Sequence, residues 1–296
     1  MSSISGNQQP TLRGYDFSDM TEKDIRELYN RILAQGMHGL CFSAYQEGQS
    51  PGIILPESQI QRRVDIMKPY MKWTRSFSCT EGHEHIPRAA KKLGIKTMVG
   101  AELGKDKDKN EKEIQGLITL AKEGNVDIAA VGNEVLLRED LTVDEIIDHI
   151  RYVKEAIPKH IPVSYVDAYF KFTVYPKLTD ACDILLINCY PFWEGCHIDY
   201  SLPYMKNMYY QALAAAKGKK VIISETGWPS QGTNFKDSHP NGINFMKYFI
   251  NAQMWSKKDN IEMMYFTSFD ESWKVAAEGD VGAYWGIWDK YEKLKF

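Results

Sequence analysis

The sequence predicts a (β/α)8 barrel, and three observations carry that prediction. Eight short runs, mostly apolar throughout and rich in β-formers, recur along 296 residues. Amphipathic segments with readable helix starts lie between them. No Gly-x-Gly-x-x-Gly follows an early run, which sets aside the doubly wound alternative.

The runs are HGLCFSAY (38–45), KWTRSF (72–77), KTMVGAE (96–102), DIAAVGNE (127–134), IPVSYVD (161–167), DILLINCYP (183–191), KVIISE (220–225) and MMYFTSFDE (263–271). Apolar residues without alternation fit strands covered on both faces. Among the helical segments, Thr21 with Asp24 forms a weaker capping box, and Ser58 with Gln61 and Thr142 with Glu145 form regular ones. After Thr142, residues Ile146, Ile147, Ile150, Val153 and Ile157 share one helical face, and Pro158 stops the helix. Gly36, Gly94 and Gly124 stand where C-terminal caps belong. Most of the stretch between the sixth and seventh runs reads as one helix over 201–218. No repeat, low-complexity tract or composition break marks a second domain. The expectation is one catalytic barrel over 1–296, with 1–14 an extended N-terminal segment.

Composition narrows the function classes. The chain is 44% hydrophobic, enough for a large core, and its net charge of −3 gives no basic surface for nucleic acid. Mean hydropathy is −0.41, and no apolar run reaches the ~18 residues of a membrane span. Residues 1–20 do not read as a signal peptide, which fits a cytoplasmic chain or a mature secreted one given a new Met. Five cysteines with no Cys-x-x-Cys pair argue against a zinc site or a disulfide scaffold, and read as buried thiols. No metal or cofactor is expected. His83 and His85 read as a solvated helix start, and the run 105–113 as an exposed, charge-alternating face. A monomer is expected.

A barrel places its active site at the C-terminal ends of its strands. Those positions hold Tyr45 and Gln46, Ser76 and Ser78, Glu102, Asn133 and Glu134, Asp167, Tyr190, Glu225, Asp270 and Glu271. A carboxylate ending a buried run is costly unless it has partners or work to do. Glu134 ends the fourth strand and Glu225 the seventh, so they face each other across the mouth. Two opposed carboxylates suit glycoside cleavage, and a gap of roughly 5–5.5 Å implies retention through a covalent intermediate.

The motifs also resemble a known family. AAVGNEVLLR (129–138) and ISETGWPS (223–230) resemble the two signature segments of family 17 glycoside hydrolases, the β-1,3-glucan-active group. The resemblance covers most of the chain, through FSAYQEGQSPG (42–52), INCYPFWEG (187–195), FTSFDESWK (266–274) and VGAYWGIWD (281–289). It implies that Glu134 is the general acid/base and Glu225 the nucleophile. It implies that Asn133 bonds the sugar 2-OH, that Tyr190 holds the nucleophile, and that Glu271 and Lys274 pair beside the site. Tyr45 is a further substrate-binding candidate. Gly227 would let the chain turn, and Trp228 would supply cleft wall or sugar platform. Glu102 and Asp167 read as supporting or solvated carboxylates, and Trp285 and Trp288 as packing.

The resemblance implies a β-1,3-glucan or laminari-oligosaccharide substrate, and an extracellular or cell-wall setting if a leader was removed. The glycosyl intermediate passes to water or to another glucan. The short sixth connection implies a short cleft, without a regular ring of aromatics. Trp193, Glu194 and Tyr200 are the candidates for holding an acceptor, which favours transfer. Two other classes stay open. A non-catalytic carbohydrate-binding barrel would usually have lost one carboxylate. A phosphate-handling isomerase would want a glycine-rich site after strands seven and eight, where this chain has Trp228 and Pro229.

Overall fold

A computed structural model describes residues 13–296. The segment expected at 1–14 lies, but for Arg13 and Gly14, outside the described residues. The eight expected strands are all present: β1 (Met37–Cys41), β2 (Met71–Ser76), β3 (Lys96–Ala101), β4 (Ile128–Asn133), β5 (Val163–Ala168), β6 (Leu185–Asn188), β7 (Val221–Thr226) and β8 (Met263–Tyr265). They pair in parallel in chain order, and β8 pairs with β1 to close the barrel. Their near-complete burial follows from cover on both faces: side chains fill the inside, and helices pack outside.

The wall helices are α1 (Glu22–Leu33), α2 (Glu57–Met67), α3 (His85–Lys92), α4 (Lys107–Lys122), α5 (Val143–Ala156), the short α6 (Lys171–Val174) and α7 (Pro176–Ala181), α8 (Ser201–Ala215) and α9 (Gly242–Asp259). Reciprocal capping boxes at Thr21 with Asp24 and Thr142 with Glu145 start α1 and α5 as expected. The box expected at Ser58 does not form. Pro56 is the N-cap of α2, so Ser58 already lies inside the first turn. The isoleucine face of α5 is buried, and Gly36, Gly94 and Gly124 all take positive φ.

The eighth unit differs from the expectation. After β8 the chain makes only 3-10 turns and the one-turn α10 (Val275–Glu278), which stay at the barrel mouth. The vacant place in the wall is filled by α1, which packs on α9 through Tyr29 against Phe245 and Phe249.

Three strand pairs lose regular register, and all three do so near the C-terminal ends. The shifts fall between Ala130 and Asn133 on β4, between Ile187 and Asn188 on β6, and between Ile223 and Thr226 on β7. A bulge re-aims the side chains that follow it. These bulges flank Asn133, Glu134, Asn188 and Glu225. Among the described residues, no helix is long and apolar enough to cross a membrane.

Candidate active site

The end of β4 is an unusual piece of backbone. Gly132 has φ of +89°, and a Cβ there would meet the Tyr165 ring at 3.2 Å and a Val135 methyl at 3.0 Å. Glu134 follows with φ of +53°, a left-handed conformation that costs a glutamate energy and clusters at functional sites. Local bonds hold it there. The Glu134 amide donates to the Val166 carbonyl at 2.8 Å. Arg138 donates to the Asn133 carbonyl at 2.7 Å and to the Leu103 carbonyl at 3.1 Å. The Tyr165 hydroxyl accepts from the Leu136 amide at 2.8 Å and donates to Asp167 at 2.5 Å.

Glu225 sits in β7, paired in register with Asn188 of β6. The next residues must leave the sheet where β8 also ends. A Cβ on Gly227 would strike the Phe266 carbonyl oxygen. Close approach, rather than a left-handed turn, is therefore what requires glycine here.

A network joins the two carboxylates. Asn188 Nδ2 donates to Glu134 Oε1 at 2.8 Å and to Glu225 Oε1 at 3.1 Å. Two oxygens held by one nitrogen lie no further apart than both bonds end to end, about 6 Å. Asn188 is itself oriented, because its Oδ1 accepts from Ser224 Oγ at 2.8 Å. Tyr190 donates to Glu225 Oε2 at 2.6 Å. Burial, and then the charge of Glu225, push the Tyr190 hydroxyl well above its ordinary range, so it stays a donor. Arg75 of β2 donates to Glu225 and to the Ser224 carbonyl, and bonds Asn133 Oδ1 at 2.9 Å. Its guanidinium lies 4.3 Å from the centre of the Phe77 ring. Glu134 receives a side-chain bond from Asn188 alone among these groups. Burial, and then repulsion from Glu225, raise its pKa to about 7.

The carboxylates stand between two lobes of one cleft. The first, about 230 Å³, is lined by Tyr45, Asn133, Arg138, Glu271, Trp273 and Lys274, among others. The Glu271–Lys274 pair forms at 2.9 Å, and Glu271 also accepts from the Tyr45 amide at 2.9 Å. The second lobe, about 630 Å³, is walled by Leu137, Tyr169, Phe170, Trp193, Glu194 and Trp285. Glu278 borders both.

Several expectations need correction. Trp228 cannot carry a sugar. It is fully buried between Phe192 and Tyr248, and its indole N–H donates to the His239 carbonyl at 3.1 Å. Its part is to back the Phe192 ring that supports Trp193. Tyr200 lines neither lobe and instead carries the Arg13 guanidinium on its ring. The cleft's aromatics come from scattered loops and form no regular ring. Trp285 is buried as packing, yet it also floors the larger lobe beside Trp193. His83 is buried against Tyr45 rather than solvated. Glu113, inside the charge-alternating run, is fully buried and bonds Ser78, Thr80 and the amides of Cys79 and Glu102.

Sequence reading missed Arg75, Asn188, Glu113 and Glu278. Asn188 had a signal, a polar residue directly after the apolar stretch 184–187 near a strand's C-terminal end, whereas Arg75 was masked by Lys72, Thr74 and Ser76 in the same run. Asp167 and Glu102 fall where expected. Asp167 is bonded to Tyr165, and Glu102 pairs with Lys109 at 2.8 Å on the rim.

Two opposed carboxylates on β4 and β7 of such a barrel, above a sugar-sized cleft, define a glycoside hydrolase. The BtgE/BtgC glycoside hydrolase domain matches residues 39–286, and the chain belongs to that family. It is similar to a glucan 1,3-beta-glucosidase of Arthroderma benhamiae, with 27% identity over 286 residues, 86% of this chain and 91% of that protein. It is similar in structure to a family 17 beta-1,3-glucanosyltransferase from Rhizomucor miehei, with 30% identity and a TM-score of 0.79, covering 88% of this chain and 96% of that one. An active-site mutant of the Rhizomucor enzyme in complex with laminaritriose matches at 29% identity, with the same TM-score and coverage. The resemblance drawn from the two signature segments is thus borne out.

Proposed function

We propose that this glycoside hydrolase cleaves β-1,3-glucosidic bonds with retention and passes the glycosyl group to another glucan or to water. Glu225 attacks the anomeric carbon, and Glu134 protonates the departing oxygen. Glu134 then acts as base toward the incoming hydroxyl. Asn133 lines only the smaller lobe and would meet the 2-OH of the sugar being transferred. That puts the donor sugar in the smaller lobe and the acceptor in the larger one, against Trp193 and Glu194. Glu271 and Lys274 shape the donor side as an ion pair, while Tyr45 bounds the donor sugar and Tyr190 holds the nucleophile.

One observation carries the reading: a single amide nitrogen reaches both carboxylates. That closeness supports direct attack rather than attack by an intervening water. The glucan substrate rests on the Arthroderma, Rhizomucor and laminaritriose similarities. The test is digestion of laminarin followed by NMR of the first products. New reducing ends should appear in the β configuration before mutarotation. Initial α products would sink the mechanism, and no release from laminarin would sink the substrate.

A further inference from the structure

We propose that the enzyme also glycosylates apolar alcohols, forming alkyl or arylalkyl glycosides of laminari-oligosaccharides. This rests on the retaining, two-lobe reading above. The two lobes differ in chemistry. The donor lobe is crowded with polar side chains, Ser78, His83, Asn133, Arg138 and Lys274 among them, several of which also hold carboxylates or carbonyls of the protein. In the acceptor lobe Asn188 and Tyr190 are committed to the catalytic carboxylates. Leu137, Phe170, Trp193, Phe266 and Trp285 make the rest of its wall mostly carbon, with Tyr169, Glu194 and Glu278 as the further polar side chains beside the acid/base.

Leu137 is the telling residue. It lies three positions after Glu134 at the mouth of this lobe and is 45% exposed. A branched aliphatic side chain offers no flat platform to a sugar ring. It does offer apolar area that an alkyl or phenyl group would cover. Trp193, 36% exposed, lines the same lobe. An alcohol with its hydroxyl at Glu134 and its apolar body between Leu137 and Trp193 would bury both partners' carbon surface. Water and methanol have no such body to bury.

The step balances without any further reactant. The bond from C1 to Glu225 breaks, and its electrons return to the carboxylate. The alcohol oxygen bonds C1, and its proton passes to Glu134. Nothing is oxidised or reduced.

The test runs the full-length enzyme with a laminari-oligosaccharide donor and equal concentrations of 2-phenylethanol and methanol, with products separated by mass. The phenylethyl glycoside should exceed the methyl glycoside by about tenfold or more, the factor expected for partial burial of a phenyl ring. Leu137→Asp should lower that ratio severalfold, and Leu137→Phe should hold or raise it. A ratio near one, or a ratio that Leu137→Asp leaves unchanged, overturns the inference. Hydrolysis read in the same tubes separates the two levels. If hydrolysis proceeds with an unselective ratio, only this inference fails. If no donor is consumed, the functional reading fails with it.

Discussion

Three side chains donate to Glu225, namely Arg75, Asn188 and Tyr190, while Asn188 alone among them reaches Glu134. Donors stabilise the ionised form, and burial without them favours the protonated one. This asymmetry fits the roles proposed for the two glutamates. Glu225→Gln should abolish turnover of β-1,3-glucans. Glu134→Ala should retain the first step on an activated aryl glucoside, whose leaving group needs little protonation. Azide should then rescue Glu134→Ala with a β-linked azide product, and rescue of the Glu225 variant instead would reverse the assignment. The raised pKa also fixes the pH response. With Glu134 near 7, kcat should fall as pH rises through about 7, because the acid is lost. Stability follows the same direction with pH. The folded state binds this proton more tightly than the unfolded chain, whose glutamates titrate near 4.3. Stability therefore declines as pH rises from about 4.5 toward 7, by about 3 kcal/mol when complete. Glu134→Gln should accordingly be more stable than the parent at pH 8 and not at pH 4, measured by urea unfolding.

At the scale of elements, loops set what the strand ends do. The β6–α8 loop carries Trp193, held by Phe192, Phe235 and Trp285. Trp193→Ala should lower the transfer-to-hydrolysis ratio roughly tenfold on laminari-oligosaccharides, since losing 1–2 kcal/mol of stacking hurts a sugar acceptor and not water. Uniform loss with an unchanged ratio would put the acceptor platform elsewhere. A second device works from a distance. Glu292, in the C-terminal turn with φ of +66°, bonds Arg62, Arg63 and Gln46. The bond from Arg62 leads in holding its carboxyl down at about 2. Arg63 in turn donates to the Ser43 and Tyr45 carbonyls at 2.8 and 3.0 Å. Glu292→Ala should therefore raise KM severalfold by loosening Tyr45, with little change in kcat, and cost about 2 kcal/mol of stability. An effect on kcat alone would refute this route. These distances explain what sequence could and could not show. Apolar runs announce strands, so all eight were legible, as were Glu134 and Glu225 at their ends. Trp228 was misread because an aromatic after a strand end looks the same whether it faces the cleft or the helix layer. Glu113 and Glu292 were invisible because their partners lie far away in the chain.

At the scale of the molecule, the barrel wall is completed by a helix from the other end of the sequence. Counting strand–helix units hid this, because α1 precedes β1 and its capping box says nothing about its seat. Tyr29 is the centre of the joint, fully buried on Phe249 at 4.8 Å between ring centres. Tyr29→Ala should cost about 3–5 kcal/mol. Tyr29→Phe should be neutral or stabilising, because the hydroxyl is buried without a hydrogen-bond partner among the described residues. Thermal unfolding of both variants checks this, and a strongly destabilised Phe variant would mean that the hydroxyl has a partner after all. The same joint matters before the protein is finished. On the ribosome, the stripe formed by Ile25, Leu28, Tyr29 and Leu33 emerges first, and Phe245 and Phe249 follow about 200 residues later. At about 5–20 residues per second, that sticky surface waits some ten to forty seconds for its match. A nascent chain of this design stays open to chaperones, and to mispairing with its neighbours on a polysome, until α9 has been made.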